Sequence, residues 1–335
     1  MTEWQEMPRE KRRVEALKLI NDRNHEALWE MTHGYLILKG KKHGDLSRYT
    51  VTTYRRGVLD LLNYWEGENL LRLTPDAGDA WVAYLSAKKE DGGLDLSPSS
   101  IRVKLAAGRT LFRALRWAGV FDGQSPEDRL NNADPFKDVS APPDSTAPED
   151  KRNAYTDEEM AALIDGATKT GRIEDLVMLL LGAHAGLRKS EMLSLEWQHV
   201  NFVHKTVFVK AGKGNKDRTV GASRSLLDAL RASKRATGYV LPYRSTTRLY
   251  DRLRAIAEHS TLLVTKPDGT TGTEPVEIAS RGVHGLRHTA GTRMYEATTD
   301  LHMVAKFLGH SQLQTTARYA KARQATRVAN VVSTW

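Results

Sequence analysis

Side chains that suit chemistry at a phosphate are concentrated in four stretches of the C-terminal half of the sequence. The stretches are GLRKSEML (186–193), AGKGNKDR (211–218), HGLRHTAG (284–291) and LGHSQLQTTARYA (308–320). The candidate residues within them are Arg188, Lys213, His284, Arg287, His310 and Tyr319.

Together, the residue types in this set could break and rejoin a DNA strand. Paired arginines can hold a phosphate because the planar guanidinium fork matches two of its oxygens. A tyrosine hydroxyl can attack phosphorus, a lysine can protonate the departing oxygen, and histidines exchange protons near neutral pH. Such a set would need neither a metal ion nor a nucleotide cofactor.

Each stretch alone also has an ordinary interpretation. Arg188 and Glu191 are three residues apart, so the acid can orient the arginine or form a surface ion pair with it. Lys213 lies between two glycines that permit a tight turn, so it can be a plain basic turn residue. Lys216, nearby, is a second candidate for the lysine that protonates the departing oxygen. Tyr319 is one of eleven tyrosines, most of which we expect to be packing or surface residues.

The histidines could suggest a metal site, because His284 and His288 are four residues apart. The residue after His284 is Gly285, whereas a metalloprotease motif has a glutamate there. No third ligand is evident, so the sequence predicts no metal site.

Composition and charge indicate two domains and a polyanionic partner. A chain of 335 residues has room for two domains. Residues 1–150 carry 22 Lys+Arg and 24 Asp+Glu, a net charge of 22 − 24 = −2, and residues 151–335 carry 28 and 17, a net of 28 − 17 = +11. A basic C-terminal half suits nucleic acid or is a solvated basic surface.

The sequence predicts a cytoplasmic protein. It contains no cysteine, which fits a reducing compartment. Its longest apolar stretch, 176–186, is too short to span a bilayer, and the charged first residues lack the apolar core of a signal peptide.

Proline-rich residues 140–153 predict an exposed linker between the domains. Before it we expect a bundle of four helices. The first includes the apolar positions Val14 to Met31, the second begins near Ser47 or Thr50, and the others span 80–87 and 101–117.

After the linker, Thr156 and Glu159 predict a capping box. Alternating valines predict a β-hairpin from 206–210 and 218–222, and 261–282 suggests a second, irregular hairpin. Helices are expected at 174–185, 190–198, 224–237, 246–259, 285–297, 301–308 and 312–328.

The four stretches together resemble the tyrosine recombinase (phage integrase) family and its Xer-like branch. GLRKSE, AGKGNKDR, HGLRHTAGTRM and LGHSQLQTTARY match the family's arginine, lysine-hairpin, His-x-x-Arg and tyrosine motifs in order. The resemblance covers residues 155–325 and, more loosely, the N-terminal part from about 45. Two departures are a 261–282 segment longer than in compact relatives and TVGAS where many relatives have a proline-leucine pair.

The resemblance implies a mostly α fold with a small β-sheet. Residues 1–140 would form a helical, SAM-like core-binding domain, 141–153 a linker, and 154–335 a mixed α/β catalytic domain with a C-terminal tail.

The resemblance also implies a role for each candidate residue. Arg188 and Arg287 would hold the scissile phosphate, with Glu191 supporting Arg188. The remaining residues would act on the bonds and protons: Tyr319 as the nucleophile that forms a 3′-phosphotyrosyl link, Lys213 as the general acid for the 5′-oxygen, and His284 and His310 in proton transfer.

The expected partner is double-stranded DNA. Four protomers would assemble on two DNA sites, alone or with a related recombinase, in the cytoplasm at the bacterial nucleoid. Basic residues on helical stretches and beside the motifs are candidates for DNA contact: Arg55, Arg56, Arg102, Lys104, Arg109, Lys216 and Arg318.

Three alternatives remain open. The same chemistry would serve a type IB topoisomerase, and the same fold would serve a non-catalytic DNA-binding regulator. A metal hydrolase that uses His284 and His288 is the third. Neither the target DNA sequence nor the choice between chromosome dimer resolution and mobile-element integration can be read from the residues, because base contacts depend on docking geometry.

Overall fold

The computed structural model describes residues 3–40, 46–122, 134–144, 154–210, 217–265, 271–274, 281–310, 313–317 and 319–320. The chain separates into two compact units, residues 1–145 and 146–335. It is mostly helical with a small sheet, as the sequence predicts. Within the described residues, no helix is both long enough and apolar enough to cross a lipid bilayer.

The described residues of the first unit form helices joined by turns and loops, without a β-strand. Its helices are α1 (Glu3–Glu6), α2 (Arg9–Asn21), α3 (His25–Lys39), α4 (Arg48–Tyr64), α5 (Ala77–Ser86) and α6 (Pro98–Ala118). The prediction of a single helix that includes both Val14 and Met31 is therefore wrong, because these residues lie in α2 and α3. The chain breaks between α2 and α3, where Arg23 adopts a left-handed φ of 51° and the Asn24 side chain caps α3 by accepting from the Ala27 amide.

The core of the first unit is formed mainly by α4 packing against α6 and α3. Ser47 caps α4 by accepting from the Thr50 amide, which confirms the predicted start of that helix. Trp65, Trp81, Phe112 and Phe136 pack their rings together at the centre. Val14, which the helical pattern placed among the apolar positions, is 65% exposed, because α2 turns that position towards solvent.

The second unit surrounds a buried helix. Its helices are α7 (Asp157–Lys169), α8 (Ile173–Ala183), α9 (Lys189–Ser194), α10 (Arg224–Ser233), α11 (Thr246–Glu258), α12 (Gly282–Thr298) and α13 (Leu301–Leu308). The predicted capping box of Thr156 and Glu159 begins α7. Helix α8 is the buried one, since all its residues from Val177 to Ala183 are buried.

The strands form two separate antiparallel sheets. Strands β1 (Val200–Asn201), β2 (Thr206–Val209) and β3 (Arg218–Gly221) lie in the order β1-β2-β3. The pairing of Val209 with Arg218 confirms the first hairpin. Strands β4 (Leu262–Thr265) and β5 (Thr271–Glu274) pair antiparallel, as the second hairpin predicted. The expected helix 190–198 ends earlier, at Ser194, and a 3-10 turn follows at Trp197–His199.

Two packing features of α8 place the motifs of this unit. Gly182 lies against α12, where a Cβ would meet the Leu286 Cβ at 2.6 Å, so only a glycine permits this close approach. At the other end of α8, the buried Asp175 accepts hydrogen bonds from Tyr243, Arg252 and Thr170. Helix α8 is thereby fixed against α12, and the turn that follows α8 is held close to Arg287.

Candidate active site

The first component of the site is an arginine–glutamate pair at the start of α9. Glu191 Oε2 accepts from the backbone amide of Arg188 at 2.8 Å, and Oε1 accepts from Arg188 Nη1 at 2.7 Å. The three-residue spacing therefore forms the pair that the sequence predicted. The side chain of Glu191 is only 5% exposed and that of Arg188 is 29% exposed, so Arg188 is the member that solvent can reach.

A second arginine reaches the same carboxylate from the sheet. Arg218, the first residue of β3, donates from Nη1 to Glu191 Oε1 and from Nη2 to Glu191 Oε2, both at 2.9 Å. This is the parallel, two-bond geometry in which guanidinium and carboxylate match best. Arg218 is not among the candidate residues that the motifs indicated. Its only signal was its position as the last residue of AGKGNKDR, directly after the expected lysine turn.

Arg287 lies in the middle of α12 and is 2% exposed. Its Nη1 donates to the Gly186 carbonyl and its Nη2 to the Leu308 carbonyl, both at 2.6 Å. Its Nη1 is also 3.7 Å from Glu191 Oε2. The two arginines that the sequence assigned to one phosphate, Arg188 and Arg287, are therefore brought together around one acid.

The C-terminal turn of α13 joins all three arginines. Phe307, Leu308 and Gly309 present three consecutive carbonyls, which accept from Arg218 Nε at 3.0 Å, Arg287 Nη2 at 2.6 Å and Arg188 Nη2 at 2.9 Å. The end of a helix carries partial negative charge and unpaired carbonyls, so cations are stabilised there. Since this turn leads directly into His310, it fixes the last motif relative to the first three.

The charges in this cluster shift each other's pKa values. Burial alone would raise the pKa of Glu191, but hydrogen bonds from Arg218 and from the Arg188 amide outweigh it and lower that pKa to about 2. Burial, together with repulsion from Arg188, lowers the pKa of Arg287 to about 9, although Glu191 acts in the opposite direction. Glu191 is therefore an anion and Arg287 a cation at neutral pH.

Tyr319 is positioned against the same helix as Arg287. Its side chain is 4% exposed and packs with Val304 and Leu308 of α13. Its ring centroid lies 4.9 Å from that of His288. The ring also covers Gly291, where a Cβ would meet Tyr319 Cζ at 2.5 Å and the hydroxyl oxygen at 2.7 Å. Tyr319 acts to raise the pKa of Arg287, against the larger lowering by burial.

The histidines occupy two sides of this cluster. His310 Nδ1 lies 2.9 Å from Thr316 Oγ1, which links the α13 turn to the segment before Tyr319. His284 is half-buried on α12, one turn before Arg287. Among the described residues, no three side chains of histidine, aspartate or glutamate come together in a way that could hold a metal ion.

Three of the predicted site residues, Lys213, Lys216 and Arg318, lie outside the described residues, so their roles stay predictions. The described members of the chemical set all lie in the second unit: Arg188, Glu191, His284, Arg287, His310 and Tyr319.

The five candidate DNA contacts of the first unit differ in exposure and in how many bonds their side chains make within the protein. Arg56 is 84% exposed, and Arg102 is also exposed. Arg55 pairs with Glu26 at 2.5 Å on the surface. Lys104 pairs with Asp60 and is 15% exposed, while Arg109 donates to the Phe136 and Val139 carbonyls.

A cleft of about 1020 Å³ in the first unit is lined by α4, α5, α6 and the segment that precedes α6. Its walls include Tyr49, Thr52, Arg56, Ser100 and Lys104. Hydroxyl and cationic groups of this kind are the usual donors to DNA phosphates and bases, so this cleft is a second candidate surface.

Comparison with known proteins gives two family matches. Residues 154–326 match the phage integrase family, and residues 41–119 match the N-terminal SAM-like domain of phage integrases. The chain is 28% identical to the tyrosine recombinase XerA of Pyrococcus horikoshii over 306 residues, which are 90% of this chain and 92% of that protein. It is 30% identical to XerC of Yersinia pestis over 275 residues, which are 82% of this chain and 84% of that protein.

Solved structures share the fold at lower sequence identity. The XerH site-specific recombinase bound to a palindromic difH substrate is similar with a TM-score of 0.62 and 18% identity, covering 88% of this chain and 82% of that one. The Tn1549 transposon integrase in complex with transposon right end DNA is similar with a TM-score of 0.60 and 15% identity, covering 90% of this chain and 99% of that one.

Proposed function

Because this chain belongs to the phage integrase family of tyrosine recombinases, we propose that it is a site-specific DNA recombinase. It cleaves one strand through a 3′-phosphotyrosyl intermediate and rejoins it to a new partner. The observation that carries this proposal is the convergence of Arg188 and Arg287 on Glu191, with Tyr319 packed on the helix that supplies Arg287.

The arginines supply charge to the transition state. Attack on a phosphodiester places additional negative charge on the non-bridging oxygens, and preorganised cations stabilise it without reorganising. The Arg188 side chain is partly exposed, and Arg287 is buried and held by the Gly186 and Leu308 carbonyls. Their forks provide hydrogen bonds that an incoming phosphate accepts.

Tyr319 and the general acid carry out the bond exchange. The tyrosine oxygen forms a bond to phosphorus, and the bond from phosphorus to the 5′-oxygen breaks. That oxygen leaves as a hydroxyl after it takes a proton from Lys213, while the tyrosine proton passes to a histidine of the site, His284 or His310. One phosphodiester is exchanged for one phosphotyrosyl ester, so the energy of the bond is retained for rejoining.

The proposed substrate is duplex DNA bound by both units. Among the similar structures, the Tn1549 transposon integrase is in complex with transposon right end DNA, and XerH is bound to a palindromic difH substrate. We extend this to the present chain, with the first unit contacting DNA through the cleft lined by α4, α5 and α6. Four protomers on two sites would complete the exchange.

The decisive experiment is covalent trapping. A duplex that binds the chain is selected from a randomised pool and nicked near its centre, so that a cleaved fragment diffuses away and the adduct accumulates. The wild-type chain is expected to form a protein–DNA adduct in excess EDTA, and Tyr319→Phe is expected to bind the duplex and form none. An adduct from Tyr319→Phe, or cleavage that needs Mg²⁺ or Zn²⁺, would overturn the proposal.

Assays with the wild-type chain and the selected duplex also distinguish recombination from DNA relaxation. A recombinase joins two copies of the selected site, whereas a type IB topoisomerase relaxes a supercoiled plasmid that carries no such site. Joining products without relaxation of the plain plasmid are expected. A chain that binds the duplex but forms no adduct in any condition would be a DNA-binding regulator.

A further inference from the structure

We propose that Arg218 is a third arginine of the active site, a positioning residue that fixes Glu191 and thereby the phosphate-binding geometry of Arg188 and Arg287. This inference rests on the proposed recombinase function. All three guanidinium nitrogens of Arg218 donate within the protein, to the Phe307 carbonyl and to the two oxygens of Glu191, so it acts through the groups that it holds.

Arg218 completes the set of bonds that Glu191 can accept. A carboxylate offers about four acceptor positions. Glu191 Oε1 accepts from Arg188 Nη1 and Arg218 Nη1, and Oε2 accepts from the Arg188 amide and Arg218 Nη2. Half of the hydrogen bonds that orient this acid therefore come from Arg218.

The occupied carboxylate keeps Arg287 available for the phosphate. Arg287 Nη1 is 3.7 Å from Glu191 Oε2, which is an ionic contact but too long for a hydrogen bond. If Arg218 were lost, two acceptor positions of a buried anion would open beside this arginine. The acid would then move towards Arg287 and compete with the phosphate for its donors.

Arg218 also connects the sheet to the tyrosine segment. Its Nε donates to the Phe307 carbonyl at 3.0 Å, next to the carbonyls that accept from Arg287 and Arg188. The residue thus ties β3 both to the α9 acid and to the turn that precedes His310. An ordinary buried ion pair would join two elements, whereas this residue joins three, and each adjoins a proposed reactive residue in the sequence: Lys213 precedes β3, Arg188 precedes α9 and His310 follows α13.

Because positioning errors affect reaction more than binding, the effect of Arg218 is expected in the rate of the chemical step. A misplacement of about 1 Å can lower a rate about 100-fold. Single-turnover cleavage, with protein in excess over the selected duplex, gives the maximal rate and the half-saturating protein concentration separately.

The variants are Arg218→Gln, Arg218→Lys, Glu191→Gln and the double variant Arg218→Gln/Glu191→Gln. Arg218→Gln is expected to lower the maximal rate about 10- to 100-fold and to leave half-saturation within about threefold of wild type. Arg218→Lys keeps the charge but cannot donate two parallel bonds, so its maximal rate should lie between those of wild type and Arg218→Gln. The double variant is expected to be no slower than the slower single variant, because both changes remove one interaction.

The matched control is Arg231→Gln, which breaks an exposed pair with Asp228 at 2.8 Å and should cleave at the wild-type rate. Melting curves establish that each variant folds. A wild-type maximal rate in folded Arg218→Gln, or rate losses of Arg218→Gln and Glu191→Gln that multiply, would overturn the positioning role. If only Arg218→Lys folds, a wild-type rate in that variant overturns it, and if neither folds, Arg218 is structural only. Failure of the wild-type chain to form an adduct would instead remove the proposed function itself.

Discussion

The ring of Tyr319 lies directly on the backbone of Gly291, and no side chain separates them. A Cβ at residue 291 would come within 2.5 Å of Tyr319 Cζ, well inside the normal van der Waals distance of about 3.5 Å. Gly291 lies one helical turn after Arg287. The absence of a side chain there sets the depth at which the proposed nucleophile rests beside its arginine.

We therefore expect Gly291→Ala to separate stability from activity. Alanine is a better helix former than glycine by about 1 kcal/mol, which offsets part of the cost of overpacking, about 1–3 kcal/mol, so the melting temperature should fall only slightly. The methyl group must push the tyrosine hydroxyl outwards, so adduct formation should slow by about tenfold or more. The measurement is the adduct rate beside a thermal melt.

Gly221→Ala is the control for this substitution. Gly221 ends β3, and an added Cβ there would meet nothing within 4 Å. It should leave the adduct rate unchanged. Equal rates for Gly291→Ala and wild type would show that the ring depth at Gly291 has no effect on the reaction.

The acid stability of the chain should depend on Glu191. Its pKa is lowered from 4.5 to about 2, so its charged form stabilises the folded state above pH 4.5, and this stability is lost as the pH falls towards 2. The difference of 4.5 − 2 = 2.5 pKa units corresponds to roughly 3 kcal/mol.

Glu191→Gln removes the stabilisation by the charged carboxylate and leaves two buried arginines, Arg218 and Arg287, without their acid. The variant should be less stable at pH 7 by about 3–5 kcal/mol, and the gap to wild type should narrow as the pH falls from 4.5 to 2. Denaturant unfolding at several pH values measures this. A gap that stays constant over that range would contradict the assigned pKa.

Lys213→Ala should slow cleavage of an ordinary duplex far more than cleavage of a duplex with a 5′-thiol leaving group. Sulfur is the less basic leaving atom and needs little protonation, whereas general acid catalysis of an oxygen is worth about 10²–10⁴-fold. The measurement is the adduct rate on the two substrates. Lys216→Ala serves as the comparison, and sulfur rescue of that variant alone would transfer the acid role to Lys216.

Basic residues of the first unit should divide into DNA contacts and structural residues. Arg56→Ala and Arg102→Ala are expected to weaken duplex binding and to reduce its salt dependence, because their exposed cations can neutralise phosphates. Arg109→Ala should instead lower the melting temperature, since its guanidinium satisfies the Phe136 and Val139 carbonyls. Titrations at several salt concentrations and thermal melts distinguish the two groups.

Local spacing predicted the parts of the site that are determined by a single element. Ser47 as a helix cap, the capping box at Thr156, and the Arg188–Glu191 pair depend on residues three apart, and the structure contains all of them. The hairpin of β2 and β3 follows from alternating valines, and its pairing is observed.

Features that depend on tertiary contacts could not be predicted in this way. Arg218 and Glu191 are 27 residues apart, and no periodicity connects a strand residue to a helix acid. The break at Arg23 has a different origin, because it is local: the apolar spacing continues through it, but Arg23 is left-handed and the Asn24 cap restarts the helix. Val14 has the residue type of a core position, but the direction of α2 leaves it exposed.

Three guanidinium groups surround the single carboxylate of Glu191, so these four side chains carry two positive charges more than they carry negative. Folding must bring those charges together, and an anion that enters the cluster relieves the repulsion. Because the unfolded chain has no such cluster, bound anion stabilises the folded state by mass action. Inorganic phosphate should accordingly raise the melting temperature of the wild-type chain, and less so that of Arg188→Gln. If the proposed function holds, the DNA backbone would supply that anion, and the second unit would reach its full stability only with substrate bound.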